Sequence, residues 1–259
     1  MDSGWIVPDW PAPPSVRAVC TTRIGGVSVA PYDTFNLGDH VGDTARAVAG
    51  NRSRLAQAIG ARPVFLQQVH GSGVVRLERV TPDGSQADGC VATGPGVACT
   101  IMAADCLPVL FTTTAGRAVA AAHAGWRGLA GTGGVGVLET VAHALWDASE
   151  TPAADAASGT IVWLGPCIGP QAFEVGDEVK AAFESRHADA AALFKPQTPG
   201  KWLADLQGLA RLRLAALGIT RVHGNDGSAA WCSVSNPLRF FSHRRDRVSG
   251  RFAAAVWLR

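Results

Sequence analysis

Three short segments place a metal-competent side chain beside glycine or proline at the end of an apolar run. They are Gln67-Gln68-Val69-His70-Gly71, Ala104-Asp105-Cys106-Leu107-Pro108 and Ala122-His123-Ala124-Gly125-Trp126. Strand ends that converge on a cleft are where sites are commonly built. A thiolate and two imidazoles suit zinc, and three protein ligands with a fourth position open make a catalytic centre rather than a structural one. Taken singly, such a His or Cys is more often a hydrogen-bonded or packed side chain than a ligand. The separations, 36 residues from His70 to Cys106 and 17 from Cys106 to His123, match no local zinc-finger spacing.

Those segments need elements to hold them. Strand-like runs cover residues 16–22, 64–69, 74–79, 97–102, 108–113, 117–122, 160–164, 220–223 and 252–258, many continuously apolar, as strands buried on both faces are. Three helices are predicted. Asp43 as N-cap opens residues 44–59 and Gly60 closes them; Val135, Leu138, Val141 and Leu145 recur at helical spacing through Trp146. Leu203, Leu206, Leu209 or Ala210, Leu214 and Leu217 form a stripe ended by Gly218. Strands do not alternate strictly with helices, which disfavours a doubly wound sheet and points to an α+β fold, a sandwich of mixed β-sheets flanked by helices. No repeat or low-complexity tract divides the chain, so residues 1–259 are expected to form a single domain, with the Ala/Asp/Pro-rich stretch 151–158 as a surface loop.

The chain is 47 % hydrophobic and 17 % charged, too apolar and too weakly charged for intrinsic disorder. Lys and Arg number 23 against 21 Asp and Glu, a net charge of +2 with no block of like charges, which argues against nucleic-acid binding. Only three of those 23 are lysines, so arginine is the default cation. Residues 1–8 carry no basic and apolar leader. The longest apolar stretches, 97–111 and 118–125, are shorter than a membrane span and interrupted by Asp105 and His123. A soluble cytoplasmic protein is expected. Its six cysteines form no Cys-x-x-Cys pair, and in a reducing compartment they are free thiols, ligands or nucleophiles. Cys20, Cys90 and Cys99 lie in strand-like runs and are assigned to the core; Cys167, in a Gly-Pro-Cys-Ile-Gly turn, is read as a packed thiol.

The ordered segments carry more than any one of them. Thr21-Thr22-Arg23-Ile24-Gly25-Gly26-Val27-Ser28, Asn36-Leu37-Gly38, His40-Val41-Gly42-Asp43, the His70 segment, Ala87-Asp88-Gly89, Ala104-Asp105-Cys106-Leu107-Pro108-Val109, His123-Ala124-Gly125-Trp126-Arg127-Gly128, Gly165-Pro166-Cys167-Ile168-Gly169 and Phe240-Phe241-Ser242-His243-Arg244-Arg245-Asp246 follow one another. Their order is that of the laccase-domain family, which the chain resembles from about residue 17 to 258. Labels attached to that family are purine nucleoside phosphorylase, multicopper polyphenol oxidoreductase and peptidoglycan editing factor. The resemblance implies a metal pocket held by His70, Cys106 and His123. It also implies phosphorolysis of adenosine, inosine and methylthioadenosine with deamination of adenosine, the alternatives being a peptidoglycan-precursor amidase and a copper-dependent polyphenol oxidase.

Copper chemistry suits these residues least. A blue-copper centre takes Cys, two His and usually an axial Met, and a multicopper oxidase adds His-x-His pairs. The chain has seven His, no His-x-His, and only Met1 and Met102, so Cu2+ at Cys106 would be adventitious. Zn2+ on the same three ligands would bring a bound water toward a pKa of about 7 for attack on a carbon such as purine C6. Asp105, beside the thiolate, is the candidate proton shuttle or else a turn carboxylate.

Phosphorolysis needs an anion site. Arg127-Gly128, followed by Gly131, Thr132, Gly133, Gly134 and a helix, offers backbone N–H groups, unless the glycines serve close packing. Arg23, Arg244 and Arg245 lie in the family motifs and at least one is expected to face the pocket, whereas Arg247 is read as solvated. Asn36 and His40 are candidate polar contacts, His40 alternatively a fourth ligand or a partner of one. His143 and His187 are given no role. Phe173 and His243 stand where relatives commonly carry tyrosine, so no tyrosine hydroxyl acts there. An amidase without metal would pair Cys106 as nucleophile with His123, as in cysteine hydrolases, with Asp105 or a backbone carbonyl orienting the base. The implied partners are a small-molecule nucleoside and phosphate, without nucleic acid or membrane, for a monomer or weak homodimer.

Overall fold

The computed structural model describes residues 4–259, so the first three residues of the segment read as leaderless lie outside it. In chain order the first half contains β1 (Val16–Cys20), α1 (Ala45–Ile59), β2 (Arg62–Phe65), β3 (Val74–Arg76), β4 (Gly89–Ala92), β5 (Val97–Ala103), β6 (Leu107–Thr113), β7 (Val119–Ala124), α2 (Trp126–Ala130) and α3 (Val137–Ser149). The second half contains α4 (Ala153–Ala156), β8 (Thr160–Leu164), β9 (Glu174–Gly176), α5 (Asp177–Glu184), β10 (Phe194–Pro196), β11 (Lys201–Ala204), α6 (Leu206–Ala216), β12 (Arg221–Gly224), α7 (His243–Asp246) and β13 (Phe252–Leu258).

Period-two alternation in continuously apolar strands produces the layers. Four strands in the order β1-β13-β5-β2 and six in the order β12-β8-β6-β7-β4-β3 form two mixed sheets. Between them Cys99, Ile101, Leu110, Val119, Ala121, Trp163, Phe252, Ala254 and Val256 make one core. The opposite residues of the same strands serve the outer faces. Ala98, Met102, Ala253 and Ala255 meet Leu55 and Ile59 of α1, and Val109, Phe111, Ala120 and Ala122 meet Leu138, Val141, Leu209 and Leu214 of α3 and α6. Helix, sheet, sheet and helices therefore stack as an α+β sandwich, each fully buried large apolar side chain contributing about 1.5–3 kcal/mol. A third, small sheet in the order β10-β11-β9 lies apart from both. No helix among the described residues is long and apolar enough to cross a membrane.

Several sequence expectations shift: of the runs read over 64–69 and 74–79, only β2 and β3, ending at Phe65 and Arg76, are strands. The N-cap of α1 is Thr44, whose side chain accepts from Ala47 N–H. Asp43 instead takes hydrogen bonds from Ser28 and Asn36. Leu203 belongs to β11, because Asp205 caps α6 through Gly208 N–H and starts the helix after it. Residues 151–158 contain a helical turn, α4, rather than loop alone. Gly60 does end α1, in the left-handed conformation at φ 66° that a Cβ would oppose.

Candidate active site

The site forms where the two large sheets exchange a strand connection. Residues 104–106 make the tight link from β5 to β6, with Asp105 at φ 99°. Cys106 precedes β6, and His123 on β7 is the register partner of Pro108 on β6, so Cys106 and His123 are neighbours across one ladder. His70 arrives on the loop between β2 and β3. That loop is pinned twice. Gln68 bonds both main-chain groups of Met102, Nε2–H to the carbonyl and Oε1 from the N–H, each at 2.8 Å. Asp88 accepts from the N–H groups of Val69, His70 and Gly71 at 3.1, 2.9 and 2.7 Å.

The result is a trio whose ligand atoms, one each from His70, Cys106 and His123, all lie within 4.8 Å of one another. His70 Nε2 is 3.7 Å from Cys106 Sγ, and the two imidazoles stand edge to face with centroids 4.8 Å apart. Nδ1 of His123 is 2.8 Å from Asp88 Oδ1, which leaves Nε2 free to ligate. Room for an ion is kept by Gly125, at which a Cβ would come 2.8 Å from His70 Cδ2 and 2.9 Å from Cys106 Sγ. A thiolate and two imidazoles, one of them oriented by a buried carboxylate, are a donor set that could hold a metal ion.

Electrostatics agree with that geometry. Burial pushes the Cys106 thiol up, but the charge and hydrogen bonds of His123 and His70 outweigh it and bring the thiol down to about 6. Burial pushes His123 down, but the Cys106 charge and the hydrogen bond to Asp88 raise it to about 9. Asp88 is held below the usual carboxylate range: burial works against this, and the hydrogen bonds from His123, Gly71 and Val69 prevail. Without a metal, Cys106 and His123 are thus poised as a thiolate and imidazolium, and a metal bound by the trio would displace the Nε2 proton of His123.

A cavity of about 370 Å3 opens above the trio. Trp126, Ile168, Phe173 and Leu206 give it an apolar flank, and Arg127, Arg244, Arg247 and Arg251 supply cations. His40 and His243 also line it. Of the residues singled out from sequence, His70, Asp105, Cys106, His123, His40, Arg127 and Arg244 therefore meet in one cavity. Three others do not line it. Arg23 donates to the carbonyls of Asp33 and Pro237 and stacks on Phe241; Arg245 donates to the carbonyls of Ser233, Val234 and Phe240. Both are loop clamps. Asn36 is fully buried and holds Gly38 and Arg251 by their main chains.

Asp105 lines the cavity, but both its oxygens are engaged: Oδ1 accepts from the Ser233 hydroxyl and Oδ2 from Arg244 N–H, each at 2.6 Å. It ties the β5–β6 link to α7, which is a positioning task. The glycine-rich stretch before α3 does not line the cavity, and the N–H groups of Gly131 and Thr132 bond to the carbonyls of Arg127 and Val135. Glu139 Oε2 takes the Gly136 N–H at 2.8 Å and Arg213 donates to the Gly134 carbonyl, both within the packing of α3. Arg247, read as solvated, is exposed at the cavity rim. Cys20, Cys90, Cys99 and Cys167 are buried free thiols.

Neither Asp88 nor Arg251 stands out by residue type or spacing in the sequence. Asp88 lies in the Ala87-Asp88-Gly89 segment, whose spacing alone assigns it no task. The signal that could have found it is its position one residue ahead of β4, whose Gly89 pairs with Ala122 of β7 and so sets Asp88 beside His123. Arg251 follows a Ser-Gly step before β13 and is one arginine among many.

The family model described as multi-copper polyphenol oxidoreductase laccase matches residues 17–259. A purine nucleoside phosphorylase of Pseudomonas aeruginosa is 50 % identical to this chain over 259 residues, 99 % of each. Purine nucleoside phosphorylase YfiH of Escherichia coli is 46 % identical over 98 % of each chain. Among solved structures, a Neisseria meningitidis protein aligns with a TM-score of 0.90 at 43 % identity over 99 % of both chains. YlmD from Geobacillus stearothermophilus aligns with a TM-score of 0.87 at 30 % identity, over 100 % of this chain and 97 % of that one.

Proposed function

The chain belongs to the laccase-domain family, and from that membership we propose that it is a zinc-dependent purine nucleoside phosphorylase acting on adenosine, inosine and methylthioadenosine, with deamination of adenosine at the same site. The observation that carries this is the cavity itself, which sets a His-Cys-His trio beside four arginines and an apolar flank. The names of the Pseudomonas and Escherichia relatives support the reaction class.

Zinc, when held by His70, Cys106 and His123, supplies a Lewis acid at the cavity floor. The chain's own residues do the rest. Trp126, Phe173, Ile168 and Leu206 offer the flat apolar contact a purine ring needs. The arginines neutralise phosphate as it meets the sugar. In phosphorolysis a phosphate oxygen bonds to C1′ as the C1′–N9 bond breaks; the bonding pair leaves with the purine, the proton of the phosphate ends on that base, and ribose 1-phosphate remains. In deamination, water adds at C6 and ammonia leaves, giving inosine. Asp105 holds the floor of the cavity to α7 and Asp88 holds His123.

One observation favours a second reading. Cys106, His123 and Asp88 follow one another as nucleophile, base and orienting carboxylate, the arrangement of a cysteine hydrolase acting on an amide. Product chromatography separates the two. Metal-replete protein incubated with adenosine should give adenine and ribose 1-phosphate only when phosphate is present, and inosine without it, and Cys106→Ala should give neither. No conversion above the Cys106→Ala control sinks the nucleoside reading and brings the amidase forward.

A further inference from the structure

The cavity wall carries more positive than negative charge. Four arginines line it, and the one carboxylate among its lining residues, Asp105, is already engaged by Ser233 and Arg244. The four are not equivalent. Arg244 spends Nη1 on the carbonyls of Ala172 and Glu174 and lies over the Phe173 ring. Arg127 and Arg247 are exposed, the first stacked on Trp126.

Arg251 is built in. Its N–H donates to Asn36 Oδ1 at 2.8 Å and its carbonyl accepts from Leu37 N–H at 3.0 Å. Its Nη1 donates to the carbonyls of Ser249 and Gly250 at 2.8 and 3.0 Å. A Cβ at Gly38 would come 2.8 Å from Arg251 Cγ, so the Asn36-Leu37-Gly38 segment is shaped around this side chain. These bonds leave Nε–H and the Nη2 amino group without a protein partner among the described residues. Its charge reaches Cys106 and Asp105 on one side and His40 on the other. Two adjacent donors on a fixed guanidinium match two oxygens of one tetrahedral oxyanion.

We propose that Arg251 is the phosphate anchor of this cavity, held in place by Asn36 and Gly38, and that the inorganic phosphate of the reaction binds between it and the His-Cys-His trio. This rests on the phosphorylase reading for its role in turnover, but the anion subsite can be tested without turnover. An oxyanion there sits beside the metal-ligating trio, where it can meet the sugar of a nucleoside whose base lies along the apolar flank.

Two measurements on the zinc-loaded protein decide it. In phosphorolysis of inosine, Arg251→Gln should raise the KM for phosphate by about 10- to 100-fold, the scale of a lost hydrogen bond to a charged group, with the KM for inosine changed much less. Arg251→Lys, which keeps the charge and loses the fork, should fall between. Gly38→Ala should move the phosphate KM in the same direction by displacing the Arg251 stem. Separately, calorimetric titration with inorganic phosphate alone should show saturable binding to the wild type that Arg251→Gln weakens by the same factor at unchanged zinc content. A phosphate KM unmoved in all three variants, or phosphate binding that is absent from the wild type or insensitive to Arg251→Gln, overturns the proposal. If phosphate binds through Arg251 but no nucleoside is cleaved, the subsite stands and the phosphorylase reading fails.

Discussion

Asp88 and His123 are joined twice: Asp88 Oδ1 lies 2.8 Å from His123 Nδ1, and the His123 N–H donates to the Asp88 carbonyl at 2.7 Å. Asp88 is fully buried and His123 nearly so. One carboxylate thereby fixes the imidazole's orientation, leaves Nε2 for a ligand, and through three further N–H groups shapes the loop that delivers His70. Two of the three side chains of the trio depend on it.

Asp88→Asn keeps the shape and removes the charge. Loss of such an orienting partner typically lowers metal affinity about 10- to 100-fold. Competition with a zinc chelator should show that loss while circular dichroism shows a retained fold. An affinity equal to wild type would mean that Asp88 serves the loop alone.

Gly125→Ala tests the cradle. The added methyl would stand 2.8 Å from His70 Cδ2 and 2.9 Å from Cys106 Sγ, inside van der Waals contact with both ligands, so the trio must spread. Zinc stoichiometry measured after dialysis should fall well below one per chain. Full occupancy would show that the trio can adjust at no cost.

The pH behaviour of metal-free protein follows from the depressed Cys106 thiol. Its thiolate, favoured by His123 and His70 over the opposing effect of burial, persists down to about pH 6. Alkylation by iodoacetamide, which needs the thiolate, should be near its maximum at pH 7 and fall as the pH drops through about 6. Peptide mapping by mass spectrometry should find Cys106 modified ahead of the buried Cys20, Cys99 and Cys167, whose thiols burial pushes up. His70→Ala should shift the profile to higher pH. A midpoint near 8.5, the ordinary cysteine value, would contradict the pairing.

What could be read from the chain and what could not divides along physical lines. β5, β6, β8 and β13 are continuously apolar runs with no competing period, and they fold as read. β9, β10 and β11 span three or four residues with little buried surface, too short for a period to register. Asp43 was legible as a polar residue before a helix, but which of Asp43 and Thr44 caps it depends on Ser28 and Asn36, distant in sequence. The three segments converge because β2 pairs with β5, β5 runs through the 104–106 link into β6, and β6 pairs with β7. Asp88 and Arg251 acquire their places only from pairing, Asp88 through β4 and β7, Arg251 through the Asn36 turn. Arg23 and Arg245 show the converse, motif residues that hold loops.

The buried ion pair between Arg213 and Glu139, 2.7 Å apart, supports the connection from α2 to α3, since Glu139 also takes the Gly136 N–H. Arg213→Leu would leave Glu139 buried and unpaired. The expected cost is about 3–5 kcal/mol of unfolding free energy, read as a lower midpoint in urea denaturation at unchanged slope. A change under about 1 kcal/mol would mean that water reaches Glu139 and replaces the pair.

Stepwise addition of Zn2+ to metal-free protein, with phosphate-dependent release of hypoxanthine from inosine followed at each step, bears most directly on a His70, Cys106 and His123 site that makes the cavity a nucleoside enzyme. The rate should rise in proportion to zinc and break at one equivalent per chain, and Cys106→Ala should show no rise. A rate independent of zinc, or one retained in Cys106→Ala, would contradict it.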